Sequence, residues 1–540
     1  MGLFTKVEDR PTPKEVYNWR IYACSCIASL AAAAIGYDSS FIGTSLALPS
    51  FVKEFNFASY TPQALAKEKE TIISVYAGAA FFGAWSFYVV SHFLGRKLSL
   101  YFYMVFFLIG AGMNCGATGD KGLGLILGGR VLTGFAVGGC SSMVPIYISE
   151  LSPPAIRGRL VGIWELGWQI GGMVGFWINY GVNRTLPPNR TQWLIPFAIQ
   201  LVPVGLLFFL AFFIPESPRW LFTKGRREQG VKTLCWLRNL SPNDLYIVEE
   251  IGSIDMDMER YRNEVGIGIW KPFNALKHRS IQWRFLLGFL LFMWQNSAGI
   301  NAINYYSPTV LQSMGVRGTS TTLLATGVFG VVKTIMTFVS LVFLVDKFGR
   351  RNLMMIGSCG ASICMWIIGS YIKIAQPAKH PSDELTPGGT AAIFFFFLWT
   401  VPYHMAWAGN PWVIGSEMFD LDTRSLGQAS SASSNWFWNF MITRFTGQMF
   451  LAVDYGVYYL FASMMLLAVV FVFFLVPETS HVPLEAMDRL FAIRPVREAN
   501  KTIMEELRRE ELEFRQNTDG LDMKEGVAVE ERVERTGQTA

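Results

Sequence analysis

One acid stands alone in the first long apolar stretch of this chain. Between Ile21 and Phe51 the only charged side chain is Asp38, at the end of AAAAIGYD (31–38). A carboxyl group in a stretch long enough to cross a bilayer is expensive to keep there, and such groups are candidates for carrying protons or binding a buried cation. Other chemistry has little support. There is no Walker A loop, no HExxH pair and no other catalytic constellation, so an enzyme is not expected. The seven cysteines include no CxxC pair, and six lie in or beside apolar runs, which points to neither a disulfide framework nor zinc. No metal or cofactor is expected.

The elements that must hold Asp38 follow from composition. The 540 residues are 51% hydrophobic and 16% charged, where soluble domains carry about 25% charged residues. The chain therefore reads as an all-α polytopic membrane protein. The net charge of +5 does not point to nucleic acid, because the basic residues sit in short clusters beside apolar runs. Apolar runs predict twelve membrane spans: 21–50, 71–94, 98–118, 122–148, 158–182, 193–214, 283–311, 320–345, 351–373, 389–418, 425–450 and 455–476. They divide into a polar N-terminus (1–20), a six-helix half (21–214), a charged helical linker (215–282), a second six-helix half (283–476) and a charged tail (477–540) that is partly disordered. The first twenty residues are polar, so no cleavable signal peptide is expected and targeting falls to the first span. Lys and Arg crowd the side holding both termini and the linker, which makes that side cytoplasmic.

The halves echo each other. LGRK (94–97) matches FGRR (348–351), PESPRWL (215–221) matches PETSHVPLE (477–485), and RGRL (157–160) corresponds to RSLG (424–427). Repeated halves place a substrate site near the midplane between them. Gly171, Gly172, Gly299, Gly409 and Pro411 are expected to soften helices at that depth. In this topology Asp38 lies about 18 Å and Arg130 about 12 Å below the outer surface at 1.5 Å per residue. An acid and a guanidinium at similar depth in a low dielectric should pair. Two readings are open: a pair whose protonation couples proton movement to transport, or a fixed pair that only locks helices.

These motifs coincide with a family. Over residues 20–490 the chain resembles the sugar porters of the major facilitator superfamily. The matches are GYD (36–38), GR (129–130), RGRL (157–160), PESPRWL (215–221), GIN (299–301) with Tyr305-Tyr306, DKFGRR (346–351), PWVIGSE (411–417) and PET (477–479). Within that family it looks most like fungal quinate permeases, through EDRPTPKEVYNWR (8–20), WELGWQIGG (164–172) and LEAMDRLF (484–491). The resemblance implies the major facilitator fold and proton symport through Asp38 and Arg130, since proton-using relatives carry Asp at this place. It implies a polyol site at Gln295, Asn296, Asn301, Tyr305, Trp412 and Trp436, where amides serve hydroxyls and aromatic faces pack against a ring.

The departures from the family are informative. Glu165 stands where a Gln is usual, Gly172 where a second Gln is frequent, Asn296 where span 7 has its second Gln, and Gly330 where an Asn is usual. Lys333, one turn beyond, occupies a place that is normally apolar or small. Residue counting puts Glu165, Lys333 and His404 in one central layer. Quinate is a six-membered polyol ring with a carboxylate, which Lys333 would meet; the alternative is that Lys333 only balances Glu165. His404 could titrate near neutral pH or simply pack. Glu150, Arg157, Asp346, Arg350, Glu417 and Arg424 would form a cytoplasmic gate, although His92 and Phe93 replace the acid and base of the N-terminal copy. The expected function is proton-coupled quinate uptake by alternating access in the plasma membrane, by a functional monomer in a lipid bilayer. Alternatives are proton symport of xylose, glucose or galacturonate, or a nutrient sensor.

Overall fold

The computed structural model describes residues 12–153, 156–264, 270–377, 379–380, 385–419, 423–480, 482 and 486–509. Among the described residues it contains helices and no strand. Nine helical stretches among them are long and apolar enough to cross a membrane. The tail beyond 509, expected to be disordered in part, lies outside the described residues.

Helix α1 (Trp19–Ser45) starts at Asn18, whose side chain accepts from the Arg20 amide at 2.9 Å. That single cap satisfies one of the helix's orphan donors. The Asn18 amide also donates to the Leu237 carbonyl at 2.8 Å, which ties the start of α1 to the polar segment between the halves. Helix α2 (Pro62–Cys115) is a helical stretch of 54 residues that doubles back at Gly95, so that the Ser86 and Tyr103 hydroxyls meet at 2.9 Å. It kinks at Gly95, where φ is 83°, a conformation that a side chain would strain. Helices α3 (Gly124–Leu151) and α4 (Arg157–Thr185) follow, and then α5 (Arg190–Ile199) and α6 (Leu201–Leu210), parted at Gln200. The linker folds as the expected short helices Pro218–Thr223, Arg227–Arg238 and Leu245–Glu264.

The second half opens with α7 (Arg279–Ser297) and α8 (Ile300–Ser313), parted at Gly299 with φ 89°. Helix α9 (Thr319–Val339) runs into a π-helical turn, Ser340–Leu344. Helix α10 (Arg350–Ala375) precedes α11 (Pro387–Tyr403), a second π turn (His404–Ala408) and α12 (Asn410–Glu417). Helices α13 (Arg424–Val453) and α14 (Gly456–Leu475) complete the membrane region. Single π turns recur where helices serve a site rather than only pack.

The first span, read as reaching residue 50, ends as a helix at Ser45. The helices over 283–311 and 389–418 divide at Gly299 and at the His404–Ala408 turn beside Gly409, where softening is expected. Gly171 and Gly172 do not soften a helix, since α4 runs unbroken through them. A Cβ at Gly171 would collide with the Ala33 backbone, and one at Gly36 with the Trp168 carbonyl. Bare backbone is thus what lets α1 and α4 touch. This matters in lipid, where apolar burial gives helices little reason to associate and close backbone approach carries the packing.

The hydrophobic clusters reach across the halves. One gathers residues of α1 to α4 around Trp412 of α12 and Leu426 and Trp436 of α13. A second fills the later helices but includes Phe176 of α4.

Candidate functional site

Asp38 and Arg130 form an ion pair at 2.6 Å, with both side chains fully buried. Its geometry is single-pronged. Arg130 Nη1 donates to Asp38 Oδ1, while among the described residues Asp38 Oδ2 and Arg130 Nη2 have no hydrogen-bond partner. A forked pair would be stronger and more rigid. The guanidinium also lies 4.1 Å from the Tyr76 ring centre, a cation–π contact that partly solvates it. The Thr133 and Tyr76 side chains also stand beside this carboxylate.

Tyr305, expected in the polyol cavity, stands beside this pair. Among the described residues its hydroxyl has no hydrogen-bond partner, and Asp38 and Arg130 both act on it electrostatically. Gly43 of α1 abuts the Tyr305 backbone. A residue of the second half thus touches the helix that carries Asp38.

The other amides form a chain. Asn301 donates to Asn296 Oδ1, and Asn296 donates to Asn435 Oδ1 at 3.0 Å and to the Phe292 carbonyl at 2.8 Å. Gln295 donates to the Trp407 carbonyl at 2.7 Å, inside the second π turn. The Gln295 carbonyl accepts from Tyr403 at 3.2 Å. The break at Gly299 and the π turn therefore meet through Gln295.

Aromatic rings bridge the halves here. Trp168 of α4 stacks on Trp436 with centres 6.0 Å apart and planes at 16°, and it lies 6.3 Å from Trp412. Trp436 Nε1 donates to Ser141 of α3 at 2.9 Å. Trp412 and Trp436 are legible in the sequence, whereas Trp168, Asn435 and Asn304 are not. Trp168 was visible only as part of WELGWQIGG, with nothing to mark its face.

Glu165, Lys333 and His404 occupy one neighbourhood. Each lies within electrostatic reach of another, and all are nearly fully buried. Glu165 accepts from Gln169 at 2.7 Å, one turn along α4. Lys333 donates to Asn304 at 3.3 Å. His404 Nδ1 faces the Thr400 carbonyl at 2.9 Å.

On the linker side the two halves repeat one device. Arg96 grips Glu150 with two bonds, 2.7 and 2.9 Å, and Arg350 meets Glu417 at 3.0 Å. Glu216 accepts from the Arg96 and Lys97 amides at 2.8 and 3.1 Å. Glu478 accepts from the Arg350 and Arg351 amides at 3.0 and 2.9 Å. Each carboxylate sits at the start of a helix segment just past a positive-φ glycine, Gly95 or Gly349, where free N–H groups favour an anion. Glu150 is thus the counterpart of Glu417, and the Arg96 grip forms although His92 stands where the second half has Asp346. Arg157 forms no ion pair among the described residues; Arg219, Arg238 and Arg424 share its surroundings with Glu250. Arg424 opens α13. The Asp346 side chain lies outside the described residues.

The opposite side holds a contact that the sequence did not reveal. Glu70 of α2, fully buried, accepts from the Gln448 amide at 2.7 Å and its side chain at 2.9 Å. Arg444 lies 4.0 Å from it and donates to Thr71 at 3.2 Å. These bonds join α2 of the first half to α13 of the second. In the run KEKE (67–70) nothing separates Glu70 from solvated neighbours except helix register.

Comparison places this arrangement. Residues 24–491 match the family described as Sugar (and other) transporter. The chain is 62% identical over 510 residues to a quinate permease of Neurospora terricola, covering 94% of this chain and 95% of that protein. It is 60% identical over 534 residues to the MFS-type transporter qa-x of Neurospora crassa, covering 98% and 99%. Its fold matches the xylose transporter XylE from E. coli in a partially occluded inward open conformation, with TM-score 0.70 and 24% identity over 86% of this chain and 99% of that one. The buried ion pair, the broken helices at the amide cluster and the repeated Gly-Arg turns are thus parts of a multi-pass membrane transporter, not of an enzyme, and the chain belongs to the sugar (and other) transporter family.

Proposed function

We propose that this protein carries quinate into the cell together with a proton, by alternating access across the plasma membrane. The observation that carries the reading is the Asp38–Arg130 pair, fully buried, single-pronged and with one carboxylate oxygen unpartnered among the described residues. Protonation at that oxygen neutralises Asp38 and weakens its hold on Arg130, which links a proton to a change between helices α1 and α3. The substrate identity rests on relatives of 55–62% identity named quinate permease or probable quinate permease.

Twelve crossings fit the helices. The kinked α2 is long enough to cross twice, on either side of Gly95. Helices α4 and α13 are long enough but too polar to count among the nine, as expected of helices that face a wet cavity. The N-terminal segment, the linker and the tail then lie together in the cytoplasm, and the halves run from 21 to 214 and from 283 to 476. The Glu70–Gln448 contact closes the outer side between the halves. Glu150, Arg350 and Glu417 hold the helix ends on the inner side, with Arg157 and Arg424 beside the mouth. The working unit is a monomer in the bilayer.

Gln295, Asn296, Asn301, Trp412 and Trp436 form the polyol site, with Tyr305 coupling it to Asp38. Gln295→Ala, Asn301→Ala and Trp412→Ala are each expected to raise the apparent KM for quinate about 5- to 150-fold, from about 1–3 kcal/mol per lost buried interaction. The test is uptake of labelled quinate by cells that make only this carrier, normalised to surface protein, with a competition panel of xylose, glucose and galacturonate. Unchanged kinetics in all three variants would place the site elsewhere. Stronger competition by a sugar than by quinate itself would transfer the reading to that sugar. Surface protein without uptake of any of them would favour a sensor.

A further inference from the structure

The proton pathway does not use Glu165, Lys333 or His404, yet all three are buried in the middle of the membrane region: their exposures are 5, 2 and 2%. A buried ammonium and a buried carboxylate are normally held together, since each alone is very unfavourable. Here they are apart. Among the described residues no ion pair within 4.0 Å joins Lys333 to an acid. The Glu165 carboxylate is held by Gln169, and the His404 Nδ1 is held against its own helix.

Lys333 is held by neutral groups. Its ammonium can donate three hydrogen bonds, and the acceptor it meets is Asn304 Oδ1 at 3.3 Å. Its Nζ lies 5.1 Å from the Phe176 ring centre and 5.6 Å from that of Phe329. Aromatic faces accommodate a cation without consuming its donors.

The ammonium also reaches across the molecule. A Cβ at Gly172 of α4 would stand 3.1 Å from Lys333 Nζ and 2.7 Å from Ser40 Oγ of α1. The cation of α9 therefore sits against two helices of the opposite half, two residues along α1 from Asp38. It is a flexible point charge with donors in reserve, at the seam between the halves.

We propose that Lys333 receives the carboxylate of the transported substrate, and that Glu165 is the resident counter-charge of the site before substrate arrives. The site then selects monoanionic ring polyols over neutral sugars. This deepens the quinate reading above and rests on it.

The probes are quinate and its neutral methyl ester, with dissociation constants measured by calorimetry on purified full-length protein at pH 7. Wild type should bind quinate on the order of 10- to 100-fold more tightly than the ester, the range of one charged hydrogen bond. In Lys333→Met the ratio should fall to about one, mainly by weaker quinate binding. Because Lys333→Met leaves Glu165 without a cation, the double variant Lys333→Met/Glu165→Gln is measured alongside it, and its ratio should also be about one. A double variant that regains the wild-type ratio would overturn the proposal and leave Lys333 a balance for Glu165. So would a wild type that binds both probes equally. Wild type that binds neither probe would instead reject the quinate reading itself, so the two failures are distinct.

Discussion

Asp38→Asn is expected to abolish accumulation of quinate against its gradient. If one proton accompanies each quinate, an inward pH difference of one unit supports roughly a tenfold gradient, since one pH unit is worth about 1.36 kcal/mol. At zero membrane potential the variant should go no further than a ratio of about one. Asparagine has nearly the shape of a protonated aspartic acid but cannot release the proton, so the switch is fixed in one state. Arg130 loses its ion-pair partner but keeps the Tyr76 ring at 4.1 Å and a bond to the Ile72 carbonyl at 3.4 Å. Exchange of labelled for unlabelled quinate should therefore persist, because exchange needs no net proton movement. Accumulation that survives in this variant at acidic external pH would remove Asp38 from coupling.

The second large effect is expected at the Gly95 turn. Arg96→Met leaves Glu150, about 10% exposed, without its two-pronged cation. Breaking a buried pair from one side costs about 3–5 kcal/mol, whereas removing both charges is often neutral. Surface abundance of Arg96→Met should fall several-fold, and the double variant Arg96→Met/Glu150→Gln should recover most of it. The same rescue cannot restore a role in the transport cycle. A double variant with normal abundance and slow quinate turnover would therefore identify the pair as part of the gate. Equal abundance of the single variant and wild type would show that the pair contributes little.

The sequence makes some of this arrangement legible, for a simple reason. A helix rises a fixed distance per residue, so counting from the ends of the apolar runs puts Asp38 within about a helical turn of Arg130 in depth, and Glu165 in one layer with Lys333 and His404. Counting says nothing about face. That is why Glu70 is hidden among Lys67, Glu68 and Lys69, why Trp168 escapes notice, and why nothing in the sequence places Tyr305 beside Asp38. Small residues mislead in another way. Gly171 looks like Gly299, yet the first allows a backbone to approach and the second takes φ 89° and ends a helix. Their difference lies in the neighbouring helix, which no local pattern contains. The Arg96–Glu150 grip is hidden because its acid comes from α3, not from the degraded motif around His92.

Quinate is a carboxylate with a single negative charge at neutral pH, so one quinate with one proton moves no net charge. This yields the most direct test of the account. Purified protein in sealed vesicles is given a pH difference at zero membrane potential, and separately a membrane potential at equal pH, and labelled quinate is followed inside. Proton coupling through one acid predicts accumulation of about tenfold per pH unit in the first case and none in the second. Accumulation that follows the potential and ignores the pH difference, or quinate entry that only equilibrates under both, would contradict it.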